Sequence, residues 1–600
     1  MNIYAKRIES IRAMMRDNGW DAVVVSGSDP HSSEYVAERW HQVEWISGYN
    51  GEGDLVITAS HAGLWTDSRY FIQAGKQLPG TGIELHKTRL PESVMIPAWL
   101  AETFKDKETA VIAVDGLCQA ISAIDDIKSA FMATKVRIVD APDMLDVLWI
   151  DRPAIPCSPV TIVSDAQTGR SRADKLAWLR QHLKSANCDA IMLSALDEIA
   201  WTLNVRGTDV AYNPVVMSYL IITHDDVQWF VRKSSGADDV SEKSFAELAR
   251  SGIQILNYNA IDDALRQLMR DNRKLFIDPS SFNYSLYAEL APDRIVTGKS
   301  PVILEKSIKT AVEIEGMRKA HYIDGIAVTR FLHWLETSIH SGAVLSEWDG
   351  AVKLGEFRST GEGYRGDSFE TVSSWGEGAA LPHYVTPNDG STKIGNHGLF
   401  LCDSGGQYLF GTTDITRTVP LGPCTDLEKE DYTLVLKGHI DLAMAHFPDG
   451  TSGDQLDVLA RQPLWRKHRF FGHGTGHGVG FYLNVHEGPQ SIRQGFNRQP
   501  MLPGMITSNE PGVYREGMHG VRHENLVLCV DTGEEAFGRH WYRFETLTLC
   551  YFDTTPIIRE LLDDDEIQWL NDYNELVYQK LSPALPDDVA AWLRNKTRAI

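Results

Sequence analysis

The stretch from Phe400 to Val419 reads FLCDSGGQYLFGTTDITRTV, which predicts a strand, a Ser-Gly-Gly turn and a second strand starting near Asp414. Asp403 and Asp414 then stand at strand ends eleven residues apart, where antiparallel pairing could aim both carboxylates into one cleft. Aspartate also bonds its own backbone in turns, so the pair alone is equally compatible with two turn formers. Further along, FGHGTGHGVG from Phe471 to Gly480 sets His473 and His477 four residues apart among five glycines. Glycine at this density makes poor helix and lets backbone approach a neighbour closely. The spacing is not the G-x-G-x-x-G of a dinucleotide loop. A zinc-binding H-E-x-x-H helix is also excluded, because neither His486-Glu487 nor His523-Glu524 has a histidine three residues past the glutamate.

Two more acidic residues join these. Glu510 lies in Asn509-Glu510-Pro511-Gly512, whose proline and glycine enforce a turn that restricts where the carboxylate points. Glu524 opens an apolar strand from Asn525 to Val530. Each alone also reads as a solvated surface carboxylate.

In the order Asp403, Asp414, His477, Glu510 and Glu524, these motifs resemble those of the metallopeptidase family that contains aminopeptidase P, prolidase and methionine aminopeptidase, which share the pita-bread fold. The resemblance implies that all five are ligands of two divalent metal ions. It puts Asp403 on one ion, His477 and Glu510 on the other, and Asp414 and Glu524 across both. Four carboxylates and one imidazole suit Mn, with Zn or Co as alternatives, better than thiolate-loving ions. In such sites ions roughly 3.5–4 Å apart lower the pKa of a shared water, which then attacks a peptide carbonyl. Glu510 is the implied proton shuttle to the leaving nitrogen. That step matters for proline, whose tertiary amide has no N–H and must be protonated as the bond breaks. His383 in Pro382-His383-Tyr384, His473, and His486 in Asn484-Val485-His486-Glu487 match the family's active-site histidines, which implies contacts to substrate and developing oxyanion. Their alternative reading is as satisfied core histidines. Two positions depart from the pattern: Trp375-Gly376-Glu377-Gly378 where many relatives carry Asn, and His523 where an aliphatic residue usually precedes the last ligand.

The elements that must position these residues point to several domains. DAVVVS (21–26) and DAIMLS (189–194) each follow a helical pattern and precede two further apolar runs, Leu55 to Thr58 with Leu64 to Thr66 and Leu220 to Thr223 with Trp229 to Val231. This predicts one α/β plan used twice, about 168 residues apart. DRPAIPCSP (151–159), with three prolines, reads as a linker. A second break falls near Ser300-Pro301, before helically spaced apolar residues from Val312 to Trp334. The expected division is an N-terminal creatinase-like α/β domain (1–152), a middle domain that duplicates it (153–302), and a catalytic pita-bread domain (303–600) with a C-terminal extension from about 540. The fold class is thus α/β and α+β, multidomain. WTDSRYF (65–71), WTLNVRG (201–207) and WYRFETLTL (541–549) resemble the long, three-domain aminopeptidase P group.

Composition bounds the partners. Against 58 basic residues stand 81 acidic ones, a net charge of -23 that repels nucleic acid and anionic membrane surfaces. The N-terminal twenty residues lack the apolar core of a signal peptide, and no run reaches the roughly 18 apolar residues of a membrane span. Seven scattered cysteines without C-x-x-C spacing fit a reducing cytoplasm. The acidic run DDDE (563–566) predicts a solvated helix start, and Trp569 and Trp592 are candidates for packing at a subunit contact in a homodimer. The expectation is a cytoplasmic, dimeric, metal-dependent exopeptidase that cuts the first bond of peptides with proline second. The alternatives are a prolidase, limited to Xaa-Pro dipeptides, and a non-catalytic pita-bread binding module.

Overall fold

The computed structural model describes residues 2–132, 134–233 and 239–600. The chain forms two compact units, Met1–Val163 with Ser171–Val302, and Ser164–Arg170 with Ile303–Ile600.

The first unit holds two six-stranded sheets. One runs in the order Glu84–Lys87, Ala62–Thr66, Asp54–Thr58, Ala22–Val25, Thr109–Val114, Lys135–Asp140. The other runs Ile253–Asn257, Val227–Val231, Ser218–Thr223, Ala190–Leu193, Leu275–Ile277, Ile295–Thr297. Strand directions also agree position by position: parallel, antiparallel, antiparallel, parallel, parallel. The runs AVVV and AIML occupy equivalent inner positions and are buried throughout, which explains why both read as continuous apolar stretches. The helices that lead into them end alike. Ile3–Asn18 stops at Gly19 (φ 68°) and Arg172–Ala186 at Asn187 (φ 52°), left-handed conformations favoured by Gly and Asn. The proline-rich stretch 151–159 carries neither helix nor strand.

The second unit is built on the 30-residue helix Ala311–His340, whose start is fixed by reciprocal hydrogen bonds between Thr310 and Glu313. Val372–Trp375, Leu399–Ser404 and Ile415–Pro420 form a three-stranded antiparallel sheet. A six-stranded sheet runs His446–Pro448, Arg539–Thr546, Asn525–Ala536, Ile506–Asn509, Gly476–Gly478, Glu487–Ile492. Gly512–Arg515 and His519–Arg522 make a separate ribbon. The core gathers Phe331, Leu335, Phe400, Tyr432, Val435 and Leu570.

The tail corrects one detail of the sequence reading. DDDE does open a helix, Asp564–Leu581, with Asp563 as its cap. It is not simply solvated, since Glu566 is buried and pairs with Lys437. Trp569 stacks on Tyr573 at 5.2 Å and Trp592 meets Tyr551 edge-on at 5.4 Å, while both stay half-buried. Among the described residues all seven cysteines are free thiols, five of them buried, and no helix is long and apolar enough to cross a membrane.

Candidate metal centre

Asp403 comes from Leu399–Ser404, the middle strand of the three-stranded sheet, and Asp414 immediately precedes the neighbouring strand Ile415–Pro420. Antiparallel register sets Asp403 opposite Thr416. Thr416 in turn fixes Glu524: its carbonyl accepts from the Glu524 N–H at 3.1 Å, and its hydroxyl donates to Glu524 Oε2 at 2.7 Å. His477 sits in Gly476–Gly478, beside Glu487–Ile492 and Ile506–Asn509. A Cβ on Gly476 would lie 1.9 Å from the Ser508 carbonyl oxygen, which is why glycine flanks this histidine. Glu510 follows Ile506–Asn509 and is anchored by its own N–H on the Thr475 carbonyl at 2.8 Å.

These elements converge. His477 Nε2 lies 3.3 Å from Glu510 Oε1 and 3.5 Å from Asp414 Oδ2. Ligand atoms of Asp414, His477 and Glu524 all fall within 4.8 Å of one another. His477 Nδ1 is 3.0 Å from the Gly478 carbonyl, which can only accept, so the proton sits on Nδ1 and Nε2 carries the lone pair. Asp403 Oδ2 accepts from Arg522 Nη2 at 2.5 Å, whereas its Oδ1 is buried without a hydrogen bond.

The electrostatics express crowded negative charge. Burial, then Asp403 and Glu510, hold the Asp414 carboxyl well above the usual carboxylate range. Burial, then Asp414, Glu510 and Asp403, do the same for Glu524. Burial and Asp403 push Glu510 up to about 7, against the opposing pull of Arg522 and His486. Several buried carboxylates that share one space with a single guanidinium need cations to ionise together. The orphaned Asp403 Oδ1, the oriented His477 Nε2 and the oxygen-rich donor set therefore fit divalent ions of the Mn, Co or Zn class.

The three other histidines stand differently. The His486 ring meets His477 edge-on, centroids 4.3 Å apart. His473 Nδ1 is 2.7 Å from the Gly474 carbonyl and 3.8 Å from Glu510 Oε2, and its Nε2 is 2.8 Å from the Tyr514 hydroxyl. His383 is half-buried in the turn after Leu381, and the carbonyl of its neighbour Pro382 accepts from Arg522 Nη2 at 3.3 Å. Sequence reasoning missed Arg522 and Tyr514. Arg522 is 3% exposed and links Asp403, Thr416, Tyr514 and Pro382; its only signal was its place two residues before Glu524. His523, the atypical neighbour, packs edge-on against Tyr432 and Phe552.

Residues 315–531 match the profile of Metallopeptidase family M24, and residues 540–600 that of the C-terminal region of peptidase M24. Residues 7–148 and 151–313 each match a Creatinase/Prolidase N-terminal domain. Over 98% of its length the chain is 37% identical to a "Probable Xaa-Pro aminopeptidase P" of Laccaria bicolor, covering 93% of that protein. It is 35% identical to aminopeptidase P1 of Arabidopsis thaliana over 99% of both. In three dimensions it matches the X-prolyl aminopeptidase of Caenorhabditis elegans, described as a cytosolic enzyme with a di-nuclear active site, with a TM-score of 0.94, 33% identity and complete coverage of both chains. With identity sustained along the whole length, the chain belongs to the aminopeptidase P group of metallopeptidase family M24.

Proposed function

We propose that the chain is a dinuclear metalloaminopeptidase that hydrolyses the first peptide bond of peptides whose second residue is proline. The observation that carries this reading is the convergence of Asp414, His477 and Glu524 beside Glu510, in a chain related end to end to proteins named for Xaa-Pro aminopeptidase activity. Asp403 would hold one ion, His477 and Glu510 the other, and Asp414 and Glu524 both, with Mn as the native metal and Zn or Co as alternatives. Two divalent ions in such a set supply a water of lowered pKa and positive charge beside the substrate carbonyl.

The remaining roles belong to side chains. Glu510 takes a proton on its carboxylate from the attacking water and delivers it to the proline nitrogen, which cannot leave as an anion. Ser508, whose hydroxyl is 3.2 Å from Glu510 Oε1, orients that carboxylate. His383 and His486 bind substrate and donate to the carbonyl oxygen as charge develops on it, and His473 joins them by turning its Nδ1 proton from the Gly474 carbonyl to substrate. Arg522 holds and aims Asp403 through its charged guanidinium. The same proposal includes domains at 1–152, 153–302 and 303–600, a homodimer, and a cytoplasmic location, the last supported by the cytosolic description of the nematode enzyme.

Metal-loaded protein incubated with an equimolar set of peptides that differ only at the second residue tests the specificity, with products read by mass spectrometry. Loss of one residue from the proline peptide alone is expected. Trimming regardless of the second residue would make the chain a general aminopeptidase.

A further inference from the structure

A second group of metal-type side chains lies in the first unit, among residues that the proposed hydrolysis does not use. His61 immediately precedes the strand Ala62–Thr66, while Glu84 and His86 lie on the adjacent parallel edge strand, where Glu84 pairs with Gly63 and His86 with Trp65. Alternation along strands sets 61, 63 and 65 on one face, with 84 and 86 beside them. We propose that His61, His86 and Glu84 form a binding site for a borderline divalent transition-metal ion such as Zn, Ni or Cu.

The geometry is already close to that of ligation. His61 Nε2 and His86 Nε2 are 3.1 Å apart. Two imidazole nitrogens at about 2.0–2.1 Å from one ion stand roughly 2.9–3.4 Å apart for bond angles between square and tetrahedral. The separation already matches, and a small turn of the rings, whose centroids stand 5.2 Å apart, aims both nitrogens at one ion. Glu84 places Oε2 3.8 Å from His61 Nδ1, and ligand atoms of the three residues lie within 4.8 Å of one another. Its side chain is 69% exposed, so it can swing onto the ion from the rim and leave the remaining positions to solvent.

The surroundings hold the rings in place. Trp65 stacks on His86 with centroids 3.9 Å apart and planes 4° apart, and its Nε1 donates to the Val94 carbonyl at 2.9 Å. Trp99 flanks His61 at 4.8 Å. A Cβ on Gly63 would fall 2.7 Å from both His61 Nε2 and His86 Cδ2, so glycine is what lets the imidazoles converge. Burial lowers the pKa of both histidines, which keeps them in the neutral, ligating form at pH 7. Arg12, whose charge also lowers the His61 pKa, is paired with Glu9 at 2.7 Å. Two imidazoles and a carboxylate select this class of ion over Mg or Ca.

The test is zinc stoichiometry by equilibrium dialysis and elemental analysis on the full chain, compared with His61→Gln, His86→Gln and Glu84→Gln. Wild type should bind one zinc per chain more than either histidine variant, whatever the catalytic centre holds, and Glu84→Gln should bind that ion about 10-fold more weakly. Cu added to metal-loaded wild type should quench tryptophan fluorescence from Trp65 and Trp99, and the histidine variants should lose that quenching. Peptidase activity should stay the same in all three. Equal stoichiometry in wild type and His61→Gln, or unchanged zinc affinity in the surface variant Glu84→Gln, would overturn the site and leave a plain hydrogen bond between two imidazoles.

Discussion

Arg522 holds Asp403: its Nη2 lies 2.5 Å from Asp403 Oδ2, while its Nη1 donates to the Tyr514 hydroxyl at 2.6 Å. The guanidinium thus occupies one carboxylate oxygen and leaves the other, Oδ1, for an ion. Through Tyr514 the same residue reaches His473, 2.8 Å from the phenol oxygen. One guanidinium therefore ties together a proposed metal ligand, Asp403, and a proposed active-site histidine, His473.

Arg522→Lys should lower metal affinity about 10–100-fold, the scale of losing a partner that orients a ligand, because a lysine cannot serve Asp403 and Tyr514 with one planar fork. Metal analysis at limiting Mn reads this loss. Wild-type affinity and turnover in the variant would show that any positive charge at 522 suffices.

Asp414→Asn or Glu524→Gln should abolish turnover and reduce metal occupancy, since each replaces a donor assigned to both ions. His477→Ala should release one ion preferentially. Near-native activity in the first two variants, or full occupancy in the third, would contradict the ligand assignment.

His473→Ala should lower kcat by about 10²-fold or more with metal still bound, the size expected when one oxyanion donor is lost. Tyr514→Phe, which removes the hydroxyl that His473 contacts, should lower kcat in the same direction by less. A normal kcat in His473→Ala would give that histidine a structural role only.

Chelation should lower thermal stability, because ions that bind only the folded state stabilise it. The gap between loaded and stripped protein should also narrow as pH falls. In the stripped centre Asp414 and Glu524 titrate well above their ordinary values and Glu510 at about 7. Carboxyls raised in the folded state bind protons that the unfolded chain does not, so they favour folding at low pH and disfavour it as pH rises through their folded values. Melting curves of both forms between pH 8 and 6 check this. A gap that widens toward pH 6 would contradict it.

Much of this was legible in the sequence where burial and backbone geometry leave marks. Central strands covered on both faces made AVVV and AIML readable as copies, and three prolines marked 151–159. Helical spacing from Val312 to Trp334 found most of the helix Ala311–His340, and only its ends were missed. Asp403, Asp414, Glu510 and Glu524 stood out only as an ordered set whose motifs resemble a known family, since each alone reads as a turn former or a surface carboxylate. Arg522 did not, because an arginine in a short strand reads as an exposed cation until its partner Asp403, 119 residues away, is brought beside it. Glu487 was equally opaque, since its buried pairing with Lys306 and Lys309, each at 2.6 Å, joins segments nearly 180 residues apart. The partners of Trp569 and Trp592 within the chain, Tyr573 and Tyr551, were likewise invisible in one dimension.

The most direct measurement is hydrolysis of a matched pair, an Xaa-Pro-Xaa tripeptide and the Xaa-Pro dipeptide, by chelator-stripped protein with and without added Mn. No cleavage is expected before Mn is restored, and cleavage of the tripeptide alone after it. Cleavage of the dipeptide alone would make the chain a prolidase. Silence on both with Mn, Co and Zn would contradict the catalytic reading itself.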